Sequence, residues 1–330
     1  MILVGDIGGT KTNIAIFKSN ERGVSMVVAQ QSCASAEYES LEAILEEFLT
    51  EHDLTVTRAC FGVAGPVLKG CVETPNLSWT VCESTLIKTL GVKNVKLIND
   101  LEATARGIEA LGAAQLRTLN DGDAVRGGDA ALIAAGTGLG MVGIHVHQGK
   151  RLPLASEGGH ADFAPRTEIE IELLRYLIKR YDQHVSYERV LSGTGLFDIY
   201  TFLRDENFAA EPDWLAASTK ADHKPAAIAA IAAAALEQQS ELAVKALDMF
   251  VSIYGAAAGN LALTMKATGG VFIGGGIAPK IIRKLADGTF MRAFASKGRF
   301  SSFLEAIPVR VILDDKTALY GAARCALKEA

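Results

Sequence analysis

The chain opens on an apolar run, Ile2-Leu3-Val4, meets a glycine-rich turn, and returns through Asn13-Ile14-Ala15-Ile16-Phe17, a pattern that predicts strand, turn and strand. The period then lengthens: over residues 38–49, Leu41, Leu45 and Phe48 share one stripe, which predicts a helix. Residues 59–64 and 93–98 read as short strands, the first breaking at Gly65-Pro66 and the second at Asn99-Asp100, with a helix over 101–113 after it. A polar, Gly- and Asp-rich stretch at 117–129 precedes a second strand, turn and strand that starts at 130–135 and ends near Val146. Helical patterning dominates beyond that point: 168–181, 188–206 with a break at Gly193, and two long segments between Pro225 and Met265. Residues 271–273 return to strand, 277–285 to helix, 309–313 to strand and 317–328 to helix.

One internal echo organises these elements. LVGDIGGTKTNIAIF near the start and LIAAGTGLGMVGIHV in the middle share an apolar strand, a Gly-Thr turn and an apolar strand. They predict two similar α/β lobes whose turns face one cleft: a small lobe over 1–112, joined by a C-terminal helix at 315–330, and a larger lobe over 113–314 with helical insertions. A chain of 330 residues is long enough for two cores. An apolar fraction of 49% with only 8 prolines argues against extended disorder. Against 33 basic residues stand 38 acidic ones, a formal charge of −5 with no Lys/Arg block, which excludes nucleic acid as the expected partner. The five cysteines, Cys33, Cys60, Cys71, Cys82 and Cys325, are odd in number and scattered, with no CxxC pair, and are expected to be reduced thiols. An acid as early as Asp6 leaves no room for an export signal, and the Ala-rich run at 225–236 is too short to span a bilayer, so the expected setting is cytoplasmic, without a membrane.

The turns carry candidate chemistry. In Asp6-Ile7-Gly8-Gly9-Thr10 the glycines leave backbone N–H groups open to phosphate oxygens, Thr10 adds a hydroxyl, and Asp6 offers a carboxylate for Mg²⁺, directly or through water. Gly138-Leu-Gly140-Met-Val-Gly143 fits GxGxxG, but a strand rather than a helix follows, so the dinucleotide reading is weak. There is no GxxxxGK[ST], which excludes the P-loop mechanism in that form. Gly274-Gly275-Gly276 is open enough for an adenosine to lie on the backbone, and reads equally well as a plain strand-to-helix turn. At the end of a strand, Asn99-Asp100 exceeds what a helix cap requires, and Asp100 is placed to take the proton of an attacking hydroxyl. Glu157 and His160 straddle two glycines and can read a polyol through paired donors and acceptors. Glu-x-x-His also resembles half a metal site, but Asp162 does not complete a set. His145, His147, His184 and His223 have no such context. Pro75-Asn76-Leu77-Ser78-Trp79 reads as an ordinary loop with a buried Trp79 anchor, or as a wall of a sugar cleft.

Together, GDIGGTKTNIAIF, GPV, TPNLSW, LINDLEATA, AAGTGLG, LPLASEGGHADFAPRTEIE, YERVLSGTGL, GNLAL, GGVFIGGGIAPK and KGRFSSFLEAIPVRVI resemble the bacterial glucokinases, sugar kinases of the actin-like ATPase superfamily. The resemblance spans nearly the whole chain. It implies a two-lobed ribonuclease H-like fold and transfer of the ATP γ-phosphoryl group to the 6-hydroxyl of glucose. It also implies Asp100 as base, with Asn99, Glu157, His160 and Glu188 on the sugar hydroxyls. Nucleotide contacts are implied from Gly8, Gly9 and Thr10, from Gly136, Thr137 and Gly138, and from Gly274 and Gly275, with Asp6 near Mg²⁺. A homodimer is a further implication. The zinc-binding CxCGxxGC segment of the related repressor and open-reading-frame kinase branch is missing. A kinase for mannose or an N-acetylated hexosamine, and a non-catalytic sugar sensor on the same fold, remain as alternatives.

Overall fold

A computed structural model describes residues 1–20, 23–52, 54–74, 77–182, 184–220 and 224–328. Pro75, Asn76 and His223 therefore lie outside the described residues. The chain folds as two compact units, one of residues 1–113, 151–155 and 314–330, the other of 114–150 and 156–313.

In the first unit, β1 (Ile2–Ile7), β2 (Lys11–Asn20), β3 (Gly23–Ala34), α1 (Leu41–His52) and β4 (Arg58–Val63) are followed by β5 (Cys71–Glu73), β6 (Thr80–Cys82), α2 (Glu83–Leu90), β7 (Asn94–Asn99) and α3 (Asp100–Gly107). The sheet runs β3-β2-β1-β4-β7, with β1 antiparallel to β2 and parallel to β4, and β4 parallel to β7. β1 is buried on both faces, as its unbroken apolar run requires. Leu3 and Ile7 join Leu41, Ile44, Leu45 and Phe48 of α1 in one core. Ile2 and Val4 face the other way, into a core shared with Cys60, Ala103 and the chain's last helix.

The chain then continues through β8 (Leu116–Asn120), β9 (Ala130–Ala135), β10 (Leu139–His147), β11 (Lys150–Ser156), α4 (Glu168–Tyr181), α5 (Gly193–Asp205), α6 (Asp213–Lys220), α7 (Lys224–Leu236) and α8 (Glu241–Met265). After these come β12 (Gly270–Gly274), α9 (Ile282–Leu285), α10 (Thr289–Ala295), α11 (Ser301–Glu305), β13 (Val309–Ile312) and α12 (Thr317–Lys328). The second sheet runs β11-β10-β9-β12-β13-β8. Here β9 is antiparallel to β10 and parallel to β12, just as β1 is to β2 and β4, so the echo in the sequence is a repeat of topology. α8 is long and apolar enough to cross a membrane by length and composition, but most of it is packed in the core of this unit. Gly255 and Gly259, one turn apart on α8, face α10 so closely that an added Cβ would stand 2.2 Å from Phe290 O and 2.4 Å from Phe294 O.

α12 completes the first unit on α3. Gly107 and Gly321 allow this contact, since a Cβ on either would fall within 1.8 Å of a carbonyl oxygen of the other helix.

Several expectations need correction. β8 occupies the start of the stretch read as polar loop, and β3 and β11 had no prediction as strands. The helix expected at 277–285 begins only at Ile282; residues 275–281 are turns, because Gly275 adopts φ +83° and diverts the chain. The expected reduced state fails for two cysteines: Cys71 and Cys82 form a disulfide, being directly opposed on β5 and β6 with Cα atoms 4.2 Å apart. Cross-strand pairs of this closely spaced kind put thiols within bonding reach whatever their separation in sequence. Cys33, Cys60 and Cys325 are free of disulfides. Trp79 is buried, as an anchor would be.

Candidate active site

In the first unit the carboxylates are gathered at strand ends. Asp6 stands one residue before the end of β1, opposite Asn13 on β2 and Gly62 on β4. A Cβ at Gly62 would meet Ala103 Cβ at 2.8 Å and approach Asp100 Cα to 3.5 Å. Glycine there lets the first turn of α3 rest on β4, and this brings Asp100 into electrostatic contact with Asp6. Burial first, and then the negative charge of Asp100, push the Asp6 carboxyl up to about 7, against a lowering hydrogen bond from Asn13. The turn after β1 is fixed from outside: Gly8 N–H donates to Lys11 O at 3.1 Å, and Ser35 Oγ donates to Gly8 O at 2.7 Å. Thr10 is exposed.

Asn99 is the N-cap of α3. Its Oδ1 accepts from Leu101 N at 2.9 Å and Glu102 N at 3.3 Å, while Nδ2 donates to Gly65 O at 3.2 Å. The helix start is thus satisfied by Asn99, and Asp100 is surplus to capping. Leu101 N also donates to Asp100 Oδ1 at 2.8 Å, which orients the carboxylate at the end of the helix that favours negative charge.

In the second unit four loops are laced together. The turn after β9 closes with Gly136 N–H on Gly138 O at 2.8 Å, and Gly193 N–H at the start of α5 donates to Gly136 O at 3.0 Å. Tyr254, fully buried on α8, ties the ends of two strands: its hydroxyl accepts from Ala135 N at 3.2 Å and lies 3.3 Å from Ile133 O and 3.4 Å from Gly274 O. Burial pushes that phenol well above its usual range, so it remains a neutral donor and acceptor. Gly275 presses on the same place, where a Cβ would come 2.2 Å from Ala135 O.

Glu157 and His160 bracket a 3₁₀ turn over Gly158–His160, both exposed, with His160 N–H on Glu157 O at 2.9 Å. Gly159 admits this turn to the start of β10, since its Cβ would fall 1.9 Å from Leu139 O. Tyr187 N–H donates to Ala161 O at 2.9 Å and joins this loop to a second 3₁₀ turn, Tyr187–Arg189. Glu188 therefore lies in a turn rather than in the helix its sequence suggested. Its Oε2 accepts from Leu139 N at 3.0 Å, and a Cβ at Gly138 would meet that oxygen at 2.5 Å. One carboxylate thus touches the turn after β9 and sits beside the Glu157–His160 loop. Sequence reasoning from the residues alone did not single out Glu188, because a three-residue turn has no period to detect.

No group of three or more His, Cys, Asp or Glu side chains among the described residues forms a metal cage, and Asp162 pairs with His184 at 2.9 Å instead. A cavity of about 180 Å³ lined by residues of α7, α8 and α9 shares no residue with these loops.

The first unit holds a carboxylate couple beside one glycine turn, and the second unit, which repeats its topology, holds a braced glycine turn. The glucokinase family profile matches residues 3–329. The chain belongs to the glucokinase family. Among its relatives, a glucokinase from Nostoc punctiforme is 41% identical across 99% of both chains, and one from Caulobacter vibrioides is 38% identical across 97% of this chain and 93% of the other. The crystal structure of a glucokinase from an Antarctic psychrotroph superposes with a TM-score of 0.82 at 31% identity, covering 99% of this chain and 98% of the other. A ROK family glucokinase from Streptomyces griseus, solved in complex with glucose and AMPPNP, shares the fold at a TM-score of 0.67 and 21% identity, over 99% of each chain. The fold is that of the actin-like ATPases. Membership in the glucokinase family makes the chain an enzyme, an ATP-dependent sugar kinase with glucokinase function.

Proposed function

We propose that in this glucokinase Asp100 is the catalytic base for attack of the glucose 6-hydroxyl on the γ-phosphorus of ATP. The new bond joins O6 to phosphorus, the bond from phosphorus to the bridging oxygen of ADP breaks, and the hydroxyl proton passes to the Asp100 carboxylate. In a loose transition state that proton leaves late, so holding O6 in line matters more than basicity. Asp100 suits this role because Asn99 caps α3 and Leu101 N–H fixes one carboxylate oxygen. Asn99, Glu157, His160 and Glu188 bind the sugar hydroxyls. Gly8, Gly9 and Thr10, Gly136, Thr137 and Gly138, and Gly274 and Gly275 take the nucleotide, the glycines by letting it approach the backbone closely and the threonines through their hydroxyls.

Mg²⁺ fits beside Asp6. That carboxyl is an oxygen donor whose ionisation is opposed by burial and by Asp100, and a divalent cation there would favour the charged form. When bound, the ion neutralises charge on the transferring phosphoryl oxygens. The enzyme acts in the cytoplasm, as a homodimer.

The observation that carries this reading is the Asp6–Asp100 couple at the ends of β1 and β7, beside a turn of bare glycines. The test is a product-identifying assay with ATP and Mg²⁺ across glucose, mannose and N-acetylglucosamine. Glucose 6-phosphate as the favoured product supports it. A higher kcat/KM for either other sugar overturns the substrate assignment.

A further inference from the structure

Three distant sequence segments, two of them with no role in the chemistry above, meet at one hydrogen-bonded chain. Lys297, just after α10, donates from Nζ to Asn260 Oδ1 at 2.6 Å and to Ala256 O at 3.1 Å. Asn260 in turn donates from Nδ2 to the Tyr187 hydroxyl at 2.9 Å. An ammonium can only donate, so it fixes which end of the Asn260 carboxamide faces it and leaves the NH₂ group directed at Tyr187. Tyr187 is buried, and it is the residue before Glu188 in the short turn. The other flank is held separately: the Arg189 guanidinium lies 4.2 Å from the Tyr181 ring centroid, and the Tyr181 hydroxyl donates to the buried Asp198.

We propose that Asn260 and Lys297 are positioning residues of the sugar site: through the Tyr187 hydroxyl they set the Tyr187–Arg189 turn so that the Glu188 carboxylate meets the Leu139 N–H and presents its other oxygen to the sugar. The inference rests on the reading of Glu188 as a sugar ligand. A three-residue turn has little rigidity of its own, and with one flank released it samples other orientations at the expense of ligand affinity. Gly259 belongs to the same device, because a Cβ there would meet both Phe294 O at 2.4 Å and Lys297 Cε at 3.1 Å.

The test is steady-state kinetics with glucose and with ATP varied separately. Tyr187→Phe keeps the buried ring and removes only the hydroxyl. It is expected to raise the glucose KM about 5- to 30-fold, the range for losing hydroxyl bonds to buried partners, while the ATP KM stays within about twofold. The Tyr187 hydroxyl also bonds the Ala164 backbone, so Asn260→Leu should act in the same direction with a smaller effect, and the double variant should be no worse than Tyr187→Phe alone, which already lacks the bond to Asn260. Lys297→Met should act in the same direction and Lys297→Arg should recover most of the loss. Glu188→Gln, run alongside, separates the two claims. If it leaves the glucose KM unchanged, the sugar-ligand reading falls and the inference falls with it. If it raises the glucose KM while folded Tyr187→Phe does not, or if Tyr187→Phe raises both KM values alike, the positioning role alone is overturned. Tyr187→Phe decides the matter even where Lys297→Met does not fold.

Discussion

The two glycine turns, after β1 and after β9, stand in the same topology and are held in opposite ways. At the residue before the last of each strand, β1 has Asp6 opposite Gly62 of β4, and β9 has Ala134 opposite Gly274 of β12. The first turn concentrates charge: its acid is half-buried, crowded by Asp100 and held by Asn13. The second carries no acid of its own and is held in shape by the Tyr254 hydroxyl, the Gly193 N–H and the Glu188 carboxylate. On the proposed function, a repeated scaffold divides into a half that handles protons and cations and a half that fixes geometry. Substitutions in the first should act on kcat and on pH dependence, and those in the second on KM.

The largest effect should come from the charged half. Asp100→Asn is expected to lower kcat by roughly 10²- to 10⁴-fold while glucose still binds, the usual scale for a positioned base. Stopped-time product assays with calorimetric glucose titration check this, and a variant keeping a tenth of the normal kcat would remove the division of labour. In the shaped half, Glu157→Gln and His160→Ala should each weaken glucose binding by about 1–3 kcal/mol with far smaller losses for ATP. Separate titrations of the two ligands decide it; equal losses would mean general disruption.

Tyr254→Phe sharpens the same contrast. It leaves Ala135 N–H buried without the hydroxyl and frees the ends of β9 and β12, so stability should drop by about 1–3 kcal/mol and the ATP KM should rise more than the glucose KM. Denaturant midpoints and initial rates report on each. The smallest effect is one of pH. The folded Asp6 carboxyl titrates at about 7 against 3.8 for an unperturbed aspartate, so the fold holds a proton that the unfolded chain has released. Its contribution to stability is complete below the lower value and is lost as pH rises through the higher one. The ligand-free protein should therefore lose Tm between about pH 4 and 7 more steeply than Asp6→Asn, and parallel slopes would place the Asp6 carboxyl elsewhere.

Much of this was legible in the sequence because strands that are buried on both faces read as apolar runs. β4, β7 and β9 appear at or within one residue of their expected places, β1 starts where expected and runs three residues further, and Asn99-Asp100 falls at a strand end where a cap explains one residue and leaves the other over. β3 was not legible, since its alternation is diluted by Gln30, Gln31 and Ser32 next to a well-marked neighbour. Neither was the cross-link: Cys71 and Cys82 become partners only through a β5–β6 register that no spacing rule encodes. Glu188 was reached by resemblance alone. What places it is a bond to Leu139, forty-nine positions away, supported by Asn260 and Lys297 further still, and local periodicity carries no trace of such contacts.

α8 has a consequence for chains that never finish folding. In the native protein its apolar length is covered, with Gly255 and Gly259 pressed against α10 and Tyr254 turned towards the sheet. By composition alone the same twenty-five residues qualify as a bilayer-crossing segment. A nascent or truncated polypeptide that ends shortly after Met265 has α5 and α7 but lacks α10, which packs along this helix in the finished fold. Such a fragment offers chaperones and lipid surfaces a sticky cylinder, and the enzyme's concealment of it depends on translation running on past α10.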